Sequence, residues 1–425
     1  MNLSIFRGKV FKNIGLYSLL NLLNASIPFI LLPIFTQNLS KESYGIIDLF
    51  TNLNYIFVPI IGLNIGSSVI RFYYDKEKID FSKFISSILL FLAVFGILII
   101  CISFITISFF PNIGSSTGLP NQVIYLSIAF ALFSQICEIL LYFLRAEEKP
   151  IQFGFFRVTK SLLDLGIAAY LIVFINFDWE ARVYTSVIVA CVFSIIAVYI
   201  LARKLNLNLE FDFNYLKMGL AYSSPLIFHS LGGYIISFSD RFIILHFLGL
   251  EEVGLYAVAY QIGMVMSFIS NSFNQAWTPF LFSKLKEGKR KTINELHRIN
   301  FIYFLIMIVL AFIIYLFVPI IYDLFIGEAF AVSPMIVFWV LLGYAFNGMY
   351  KMLVNYMFYF KMTSHLASIT IFAAVVNVAI CYYLVPIYGI LGAAISTTLS
   401  FLIMFILVFI VYFKINKSLK KRMNA

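Results

Sequence analysis

Residues 84–110 read FISSILLFLAVFGILIICISFITISFF and contain no charged side chain over 27 positions. A helix needs about 20 apolar residues to cross the roughly 30 Å of hydrocarbon in a bilayer, so this stretch predicts a membrane-spanning helix. Hydrophobic residues make up 62% of the 425 and charged residues only 12%, against roughly 25% charged residues in soluble domains. The composition excludes a soluble globular protein and predicts an all-α integral membrane protein.

Similar apolar stretches recur along the chain and predict about twelve transmembrane helices with short connections. The four cysteines lie singly inside these stretches, so we expect no disulfide and no metal site. The predicted spans are 14–36, 44–70, 84–110, 121–144, 151–176, 183–202, 218–246, 253–283, 299–322, 331–360, 364–386 and 389–413.

The positions of the basic residues predict that both termini are cytoplasmic. With twelve spans and that orientation, 24 of the 30 Lys and Arg residues lie in or beside cytoplasmic segments, and Lys41 and Arg182 lie in outer loops. This asymmetry follows the positive-inside rule, and it accounts for the net charge of +10 without a nucleic-acid partner. The orientation predicts that Gly114 and Glu328 are accessible from outside and Gly288 from inside.

A weak internal repeat predicts two halves. Residues 39–45 read LSKESYG after the first span, and residues 248–254 read LGLEEVG after the seventh, with three of seven positions identical at an offset of 209. We therefore expect two pseudo-symmetric six-helix lobes, 1–205 and 206–425, with the ligand site between them.

Charged residues inside spans cost about 2.5–3.5 kcal/mol each at the bilayer centre, so they are expected to face a partner or a cavity. In span five, Arg157, Lys160 and Asp164 have the spacing of one helix face. Two simpler explanations stay open, because Arg157 could extend to the lipid headgroups and Lys160 could form an ion pair with Asp164. If neither explanation applies, Arg157 and Lys160 are candidates for lining an anion-binding cavity.

Lys351 in span ten is flanked at helical spacing by Asn347 and Asn355 and lies roughly 15 Å of helix rise from the nearest polar segment. Neither neighbour can neutralise an ammonium, so a hydrated cavity is expected around it, although a purely structural role is also open. Asp240 and Arg241 are adjacent and project about 100° apart. We expect them to need different partners, either within a lobe or in the cavity.

Uncharged polar side chains in the spans add candidate contacts for sugar hydroxyls. Asn24 lies in span one and Asn274 in span eight. Hydrogen bonding between helices is an equally good use for such groups. The sequence has no nucleophile, base and metal pattern that would indicate catalysis, and the outer loops are short, so we expect no enzyme activity and no cofactor.

Several short motifs together resemble the Wzx-type polysaccharide flippases of the multidrug/oligosaccharidyl-lipid/polysaccharide (MOP) exporter superfamily. They are LPIFT at 32–36 with Tyr44-Gly45, RFYYD at 71–75, SDRF at 239–242 and GLY at 254–256. The resemblance implies a MATE/MOP-like fold in the bacterial cytoplasmic (inner) membrane. It also implies an alternating-access flippase that moves undecaprenyl-diphosphate-linked oligosaccharide repeat units from the cytoplasmic to the outer leaflet for O-antigen, capsule or a similar glycan.

The same resemblance implies membrane lipids, a polysaccharide polymerase and chain-length machinery as partners. Arg71 would make first contact with the diphosphate in a cationic central cavity, although a positive-inside anchor explains it more simply. Asp164, Asp240 or Glu138 would bind a coupling H⁺ or Na⁺, or neutralise a basic neighbour. Two other functions stay open: a MATE-like multidrug or small-molecule antiporter, and a polysaccharide polymerase or other membrane enzyme.

Overall fold

A computed structural model describes residues 3–109, 118–208, 210–287, 290–360 and 362–422. These residues form α-helices joined by short turns, with a single 3₁₀ turn at Glu328–Phe330 and no strand among them. Gly114 and Gly288 lie outside the described residues. The helices are α1 Leu3–Asn38, α2 Lys41–Gly62, α3 Gly66–Tyr73, α4 Phe81–Phe109, α5 Asn121–Ala146, α6 Pro150–Ile175, α7 Trp179–Leu205, α8 Phe213–Leu248, α9 Leu250–Gly263, α10 Val265–Glu287, α11 Arg290–Phe325, α12 Pro334–Tyr359, α13 Thr363–Tyr388 and α14 Ile390–Arg422.

Twelve segments in the described part of the chain are long and apolar enough to cross a membrane, which confirms the predicted number of spans. Each overlaps one predicted span; for example, 84–110 corresponds to Phe81–Thr106 and 121–144 to Asn121–Ala146. Outward-facing apolar side chains agree with a lipid environment, since Phe109 is 77% and Phe301 71% exposed. The orientation of the termini stays a prediction.

The prediction of one continuous helix over 44–70 is wrong. Helix α2 ends at Gly62, and α3 begins at Gly66. Between them Leu63 (φ 43°) and Asn64 (φ 53°) adopt the left-handed conformation, which ends a right-handed helix. Leucine rarely takes this conformation, so composition gave little sign of the break. The predicted span 253–283 corresponds to one membrane segment, Leu250–Lys286, in which a turn at Met264 separates α9 from α10.

Both copies of the repeat motif begin a helix. Ser40 caps α2, and its hydroxyl accepts a hydrogen bond from the Ser43 backbone N–H at 3.1 Å. In the second copy Gly249 (φ 91°) precedes α9, a backbone conformation that glycine adopts without strain. Both motifs therefore mark the start of a helix, the first with a serine side-chain cap and the second with a glycine in a positive-φ conformation.

The chain divides into two compact units, Met1–Tyr234 (unit 1) and Ile235–Ala425 (unit 2). In unit 1 the central helix is α5, which packs on α2, α4 and α7. In unit 2 the central helix is α12, which packs on α10, α11 and α14. These are the fourth and tenth spans, so each unit is organised around the corresponding helix. The predicted lobe limits, 1–205 and 206–425, stay a prediction.

Candidate functional site

Unit 1 contains a cavity of about 480 Å³ among its membrane spans. Three cationic side chains line it, Arg157 and Lys160 from α6 and Arg182 from α7, together with one carboxylate, Glu138 from α5. Lys160 lies ten residues into α6, which is about 15 Å of helix rise and half of the hydrocarbon thickness. The cavity therefore brings positive charge to the depth where bare charge is most costly.

Arg157 and Lys160 are held by neutral groups. The Arg157 guanidinium donates to Asn21 Oδ1 at 2.8 Å and lies 5.8 Å from the centre of the Phe153 ring. The Lys160 ammonium lies 5.2 Å from the centre of the Phe130 ring. No described carboxylate lies within ion-pair distance of either cation. Two cations without an ion-pair partner thus face one cavity together with Glu138, and the excess of positive charge favours an anionic ligand.

Asp164 pairs with Arg182 and not with Lys160, so the structure does not contain the Lys160–Asp164 ion pair that the sequence left open as an alternative. The Arg182 guanidinium lies 2.7 Å from Asp164 Oδ1, and the Ser186 hydroxyl donates to the same oxygen at 2.9 Å. Arg182 also donates to the Ser186 hydroxyl. The assignment of Arg182 to an outer loop is wrong too, because α7 begins at Trp179 and includes it.

The remainder of the cavity is lined by uncharged polar and aromatic groups. Asn24 belongs to it, and its Oδ1 accepts from the Ser161 hydroxyl at 2.8 Å. Gln135 donates to the Val58 carbonyl across the α2–α5 contact at 2.5 Å. Tyr55 and Tyr234 stack with ring centres 5.6 Å apart. The cavity thus combines charged, uncharged polar and aromatic side chains.

Close approach at the α2–α3 break depends on glycine. A methyl group placed on Gly66 would lie 2.6 Å from carbon atoms of the Tyr142 ring, which is a steric clash. Both residues line the cavity. Glycine here lets the Tyr142 ring pack directly on the backbone where α3 begins.

Lys351 in unit 2 is also a cation with a neutral partner. Its ammonium donates to Asn271 Oδ1 at 2.8 Å, and no described carboxylate lies within ion-pair distance. The predicted neighbour Asn355 donates to Asn274 Oδ1 at 2.7 Å and to the Lys351 carbonyl at 2.9 Å. Asn347 is buried. The structure therefore joins α10 and α12 by an amide network beside Lys351.

Asp240 and Arg241 pair with each other at 2.7 Å, so the expectation that they need different partners is wrong. The arginine side chain is long enough to turn back, and it lies 3.8 Å from the centre of the Tyr260 ring. Asp240 also accepts from the Tyr256 hydroxyl at 2.6 Å. Arg241 is 2% and Asp240 0% exposed, so this pair is enclosed within unit 2.

Arg71 lies near the end of α3 and outside the cavity of unit 1. Its guanidinium lies 2.6 Å from Asp75, one helical turn on, and its side chain is 49% exposed. Such an exposed pair contributes little to stability. Its half-exposed position suits either a positive-inside anchor or a first contact with an anion.

Sequence reasoning missed Arg182, Ser134 and Gln135 as cavity residues. Arg182 and Ser186 are spaced i, i+4 on one face of α7, and this spacing would have indicated a shared partner had the span been started earlier. Ser134 and Gln135 are adjacent polar residues in the predicted span 121–144, so the argument used for Asn24 and Asn274 would also have indicated them.

Known protein families and relatives match most of the chain. A family model described as polysaccharide biosynthesis protein matches residues 10–286, and one described as MatE matches residues 225–383. A protein of the Lsg locus of Haemophilus influenzae is 21% identical over 91% of this chain and 95% of its own length. A protein of Haloferax volcanii described as "Probable low-salt glycan biosynthesis flippase Agl15" is 23% identical over 90% of this chain and 79% of its own.

Solved structures show the same fold. An inward-facing multidrug resistance MATE family transporter of the MOP superfamily matches with a TM-score of 0.69 at 18% identity, over 95% of this chain and 96% of that one. The lipid II flippase MurJ in an inward closed conformation matches with a TM-score of 0.71 at 15% identity, over 96% of this chain and 87% of that one. The MATE/MOP-like architecture predicted from the sequence is confirmed.

Proposed function

Because this chain belongs to the polysaccharide biosynthesis protein family, we propose that it is a flippase for a lipid-linked oligosaccharide. In this proposal the substrate is an undecaprenyl-diphosphate-linked repeat unit of an O-antigen, capsule or similar glycan. It moves by alternating access from the cytoplasmic to the outer leaflet of a bacterial cytoplasmic membrane in which both termini are cytoplasmic. A glycan polymerase and its chain-length machinery would then receive the product.

The observation that carries the proposal is the pair of uncompensated cations in unit 1. A diphosphate has several strong acceptor oxygens, and hydrogen bonds between ionised partners are roughly twice as strong as neutral ones. Arg157 and Lys160 line one cavity with Glu138, and no described carboxylate lies within ion-pair distance of either cation. Within unit 2, Lys351 is a separate cation that has a neutral hydrogen-bond partner. A ligand that carries negative charge through the membrane is the chemistry that these cations fit.

The proposed step changes no covalent bond. The cavity of unit 1 holds arginine, lysine, amide and hydroxyl groups with a single carboxylate. What they do is bind and release a headgroup. Glu138 is the proposed site for a coupling H⁺ or Na⁺, because no described residue gives it an ion pair, whereas Asp164 and Asp240 are each bound to an arginine.

A MATE-like antiporter is the second candidate, and the MatE match over residues 225–383 favours it. Most carriers of organic cations would need unpaired carboxylates or aromatic cages. The cavity of unit 1 instead has cations in excess over Glu138. We therefore place the antiporter second.

The test is transport in proteoliposomes. Fluorescent undecaprenyl-diphosphate oligosaccharide is placed in both leaflets, and the fraction that becomes accessible to a membrane-impermeant quencher is followed. Arg157→Ala and Lys160→Ala should each slow transfer about tenfold or more, the effect of losing one hydrogen bond to a charged group. Arg203→Ala is the matched control, since that arginine lies in α7, does not line the cavity, and donates to Tyr199 of its own helix.

The Arg203→Ala variant should transfer the glycan lipid at a rate within about twofold of the unaltered protein. Unchanged transfer in both cavity variants would contradict the proposed binding site. Faster efflux of an organic cation with no transfer of the glycan lipid would favour the antiporter instead.

A further inference from the structure

We propose that a groove between α13 and α14 of unit 2 binds one acyl chain of an anionic membrane phospholipid, whose headgroup lies at the basic end of the groove. The groove has a volume of about 370 Å³. This inference does not depend on the proposed function, because the site can be tested without a transport assay. The residues that line the groove are His365, Ser368 and Ile369 of α13 and Leu407, Ile410 and Val411 of α14.

The groove lies within two membrane spans and is bordered by exposed apolar side chains. All of its lining residues belong to the segments His365–Tyr388 and Ile390–Lys417. Ile410 in the groove is 46% exposed, and the nearby Ile406 and Phe372 are 45% and 54% exposed. Apolar side chains exposed on a spanning helix contact lipid chains, which are as apolar as leucine. In a bilayer, an acyl chain is therefore the molecule that fills this groove.

One end of the groove lies at the level of the lipid headgroups. The turn at Gly389 (φ 61°) makes α13 and α14 antiparallel neighbours. His365 precedes that turn by almost as many residues as Lys414 follows it. The helix rise over either distance is about 36 Å, slightly more than the roughly 30 Å of hydrocarbon. Both side chains thus lie at one interface of the membrane, and the apolar part of the groove lies on its hydrocarbon side.

The headgroup end of the groove has positive charge and no acidic neighbour on its own helices. Neither α13 nor α14 contains Asp or Glu, and every Lys and Arg of α14 follows the groove, beginning at Lys414. Lys414 and Lys417 are exposed, and neither has an ion-pair partner in the described ranges of the chain. They follow Ile410 at i+4 and i+7, so they continue the face of α14 that lines the groove.

This charge distribution selects the headgroup. Basic side chains beside the end of a membrane helix attract anionic lipids, and the His365 imidazole has at least one N–H that can donate to a phosphate oxygen. A zwitterionic headgroup would bring its own cation towards Lys414 and Lys417. A phospholipid with a net negative headgroup therefore complements the basic end, while its acyl chain complements the groove.

The headgroup is tested by comparing two phospholipids with the same acyl chains. Delipidated full-length protein in detergent is titrated with phosphatidylglycerol or phosphatidylcholine, and the fraction that retains one lipid is measured by native mass spectrometry. Because each lysine contributes roughly a fivefold factor, Lys414→Gln/Lys417→Gln should weaken phosphatidylglycerol binding about twentyfold. Phosphatidylcholine binding should change by less than about twofold. Lys78→Gln/Lys217→Gln is the matched control, because both lysines are exposed but belong to unit 1.

The groove is tested by filling it. Ile410→Trp places a larger side chain on a residue that lines the groove, so it should weaken phosphatidylglycerol binding about tenfold, as the loss of contact with one or two methylene groups would. Ile406→Trp is the matched control, because Ile406 has nearly the same exposure on the same helix and does not line the groove. These residues are exposed, so the midpoint temperatures without lipid should stay within about 2 °C of the unaltered protein.

Three results would overturn the proposal. The first is equal affinity of the unaltered protein for the two phospholipids, or unchanged phosphatidylglycerol binding by the lysine variant. The second is lysine-dependent binding that Ile410→Trp leaves intact, which would place the lipid outside the groove. The third is one-for-one displacement of phosphatidylglycerol by a polyprenyl diphosphate at equal concentration, which would assign the groove to the chain of the proposed substrate. Phosphatidylglycerol binding that is weakened by the lysine variant and by Ile410→Trp, and by neither control, would support it.

Discussion

Replacing Lys351 by methionine keeps most of the side-chain volume of a residue on the central helix of unit 2 and removes its charge. Lys351 lies eight residues before the end of α12 at Tyr359, which is about 12 Å of helix rise. Its ammonium is bound to Asn271 Oδ1 at 2.8 Å and to no described carboxylate. The residue therefore bears an uncompensated charge inside a membrane span.

The expected changes in stability and in transport follow from that environment. The Lys351→Met variant loses one amide hydrogen bond but also the cost of keeping an ammonium in the span, so we expect the free energy of unfolding to change by less than about 1 kcal/mol. If the ammonium binds an anionic substrate, the lost interaction is about 1.5–3 kcal/mol, and transport should fall roughly tenfold to a hundredfold. Lys351→Arg should retain part of the activity, and Lys351→Glu should abolish it.

The assay measures glycan-lipid transfer per folded molecule in proteoliposomes, with thermal unfolding measured in parallel. Asn271→Leu is the companion variant, because it leaves the cation in place without its acceptor. It should lower stability more than Lys351→Met does. The reasoning is refuted if Lys351→Met lowers the amount of folded protein, or if transport by it is unchanged.

Asp164→Asn should lower the free energy of unfolding by about 2–3 kcal/mol, because it leaves Arg182 largely buried without its counter-charge; an unchanged unfolding temperature would contradict this. Asp240→Asn should cost more, about 3–5 kcal/mol, since Arg241 is almost completely buried, and normal yield of folded protein would argue against the pair's importance. Glu328→Cys should react with an impermeant maleimide from outside intact cells; labelling only after lysis would contradict the predicted orientation.

The span pattern was readable from the sequence because the membrane imposes it. A segment such as 84–110 has no alternative to a spanning helix, since every backbone group must be satisfied within the segment. Once the segment is known to be a helix, the spacing of Arg157 and Lys160 places them on one face. Both side chains line one cavity.

Side-chain pairs between different helices could not be predicted from the sequence. Asp164 meets Arg182 only because α6 and α7 pack together, and a single sequence carries no record of that contact. The break at Leu63 was missed because leucine is not a residue that favours a left-handed backbone. Arg241 was misjudged because helical spacing gives the direction of a side chain at its base, whereas a long arginine can turn back to the adjacent Asp240.

The most direct test of the central claim is the initial rate of transfer of undecaprenyl-diphosphate oligosaccharide between leaflets. It compares liposomes that hold the unaltered protein, the Arg157→Ala/Lys160→Ala double variant, or no protein. The proposed function predicts rapid transfer of chemically unchanged lipid by the unaltered protein and a rate near that of empty liposomes for the double variant. Equal rates for the two proteins, or no transfer above empty liposomes by the unaltered protein, would contradict it.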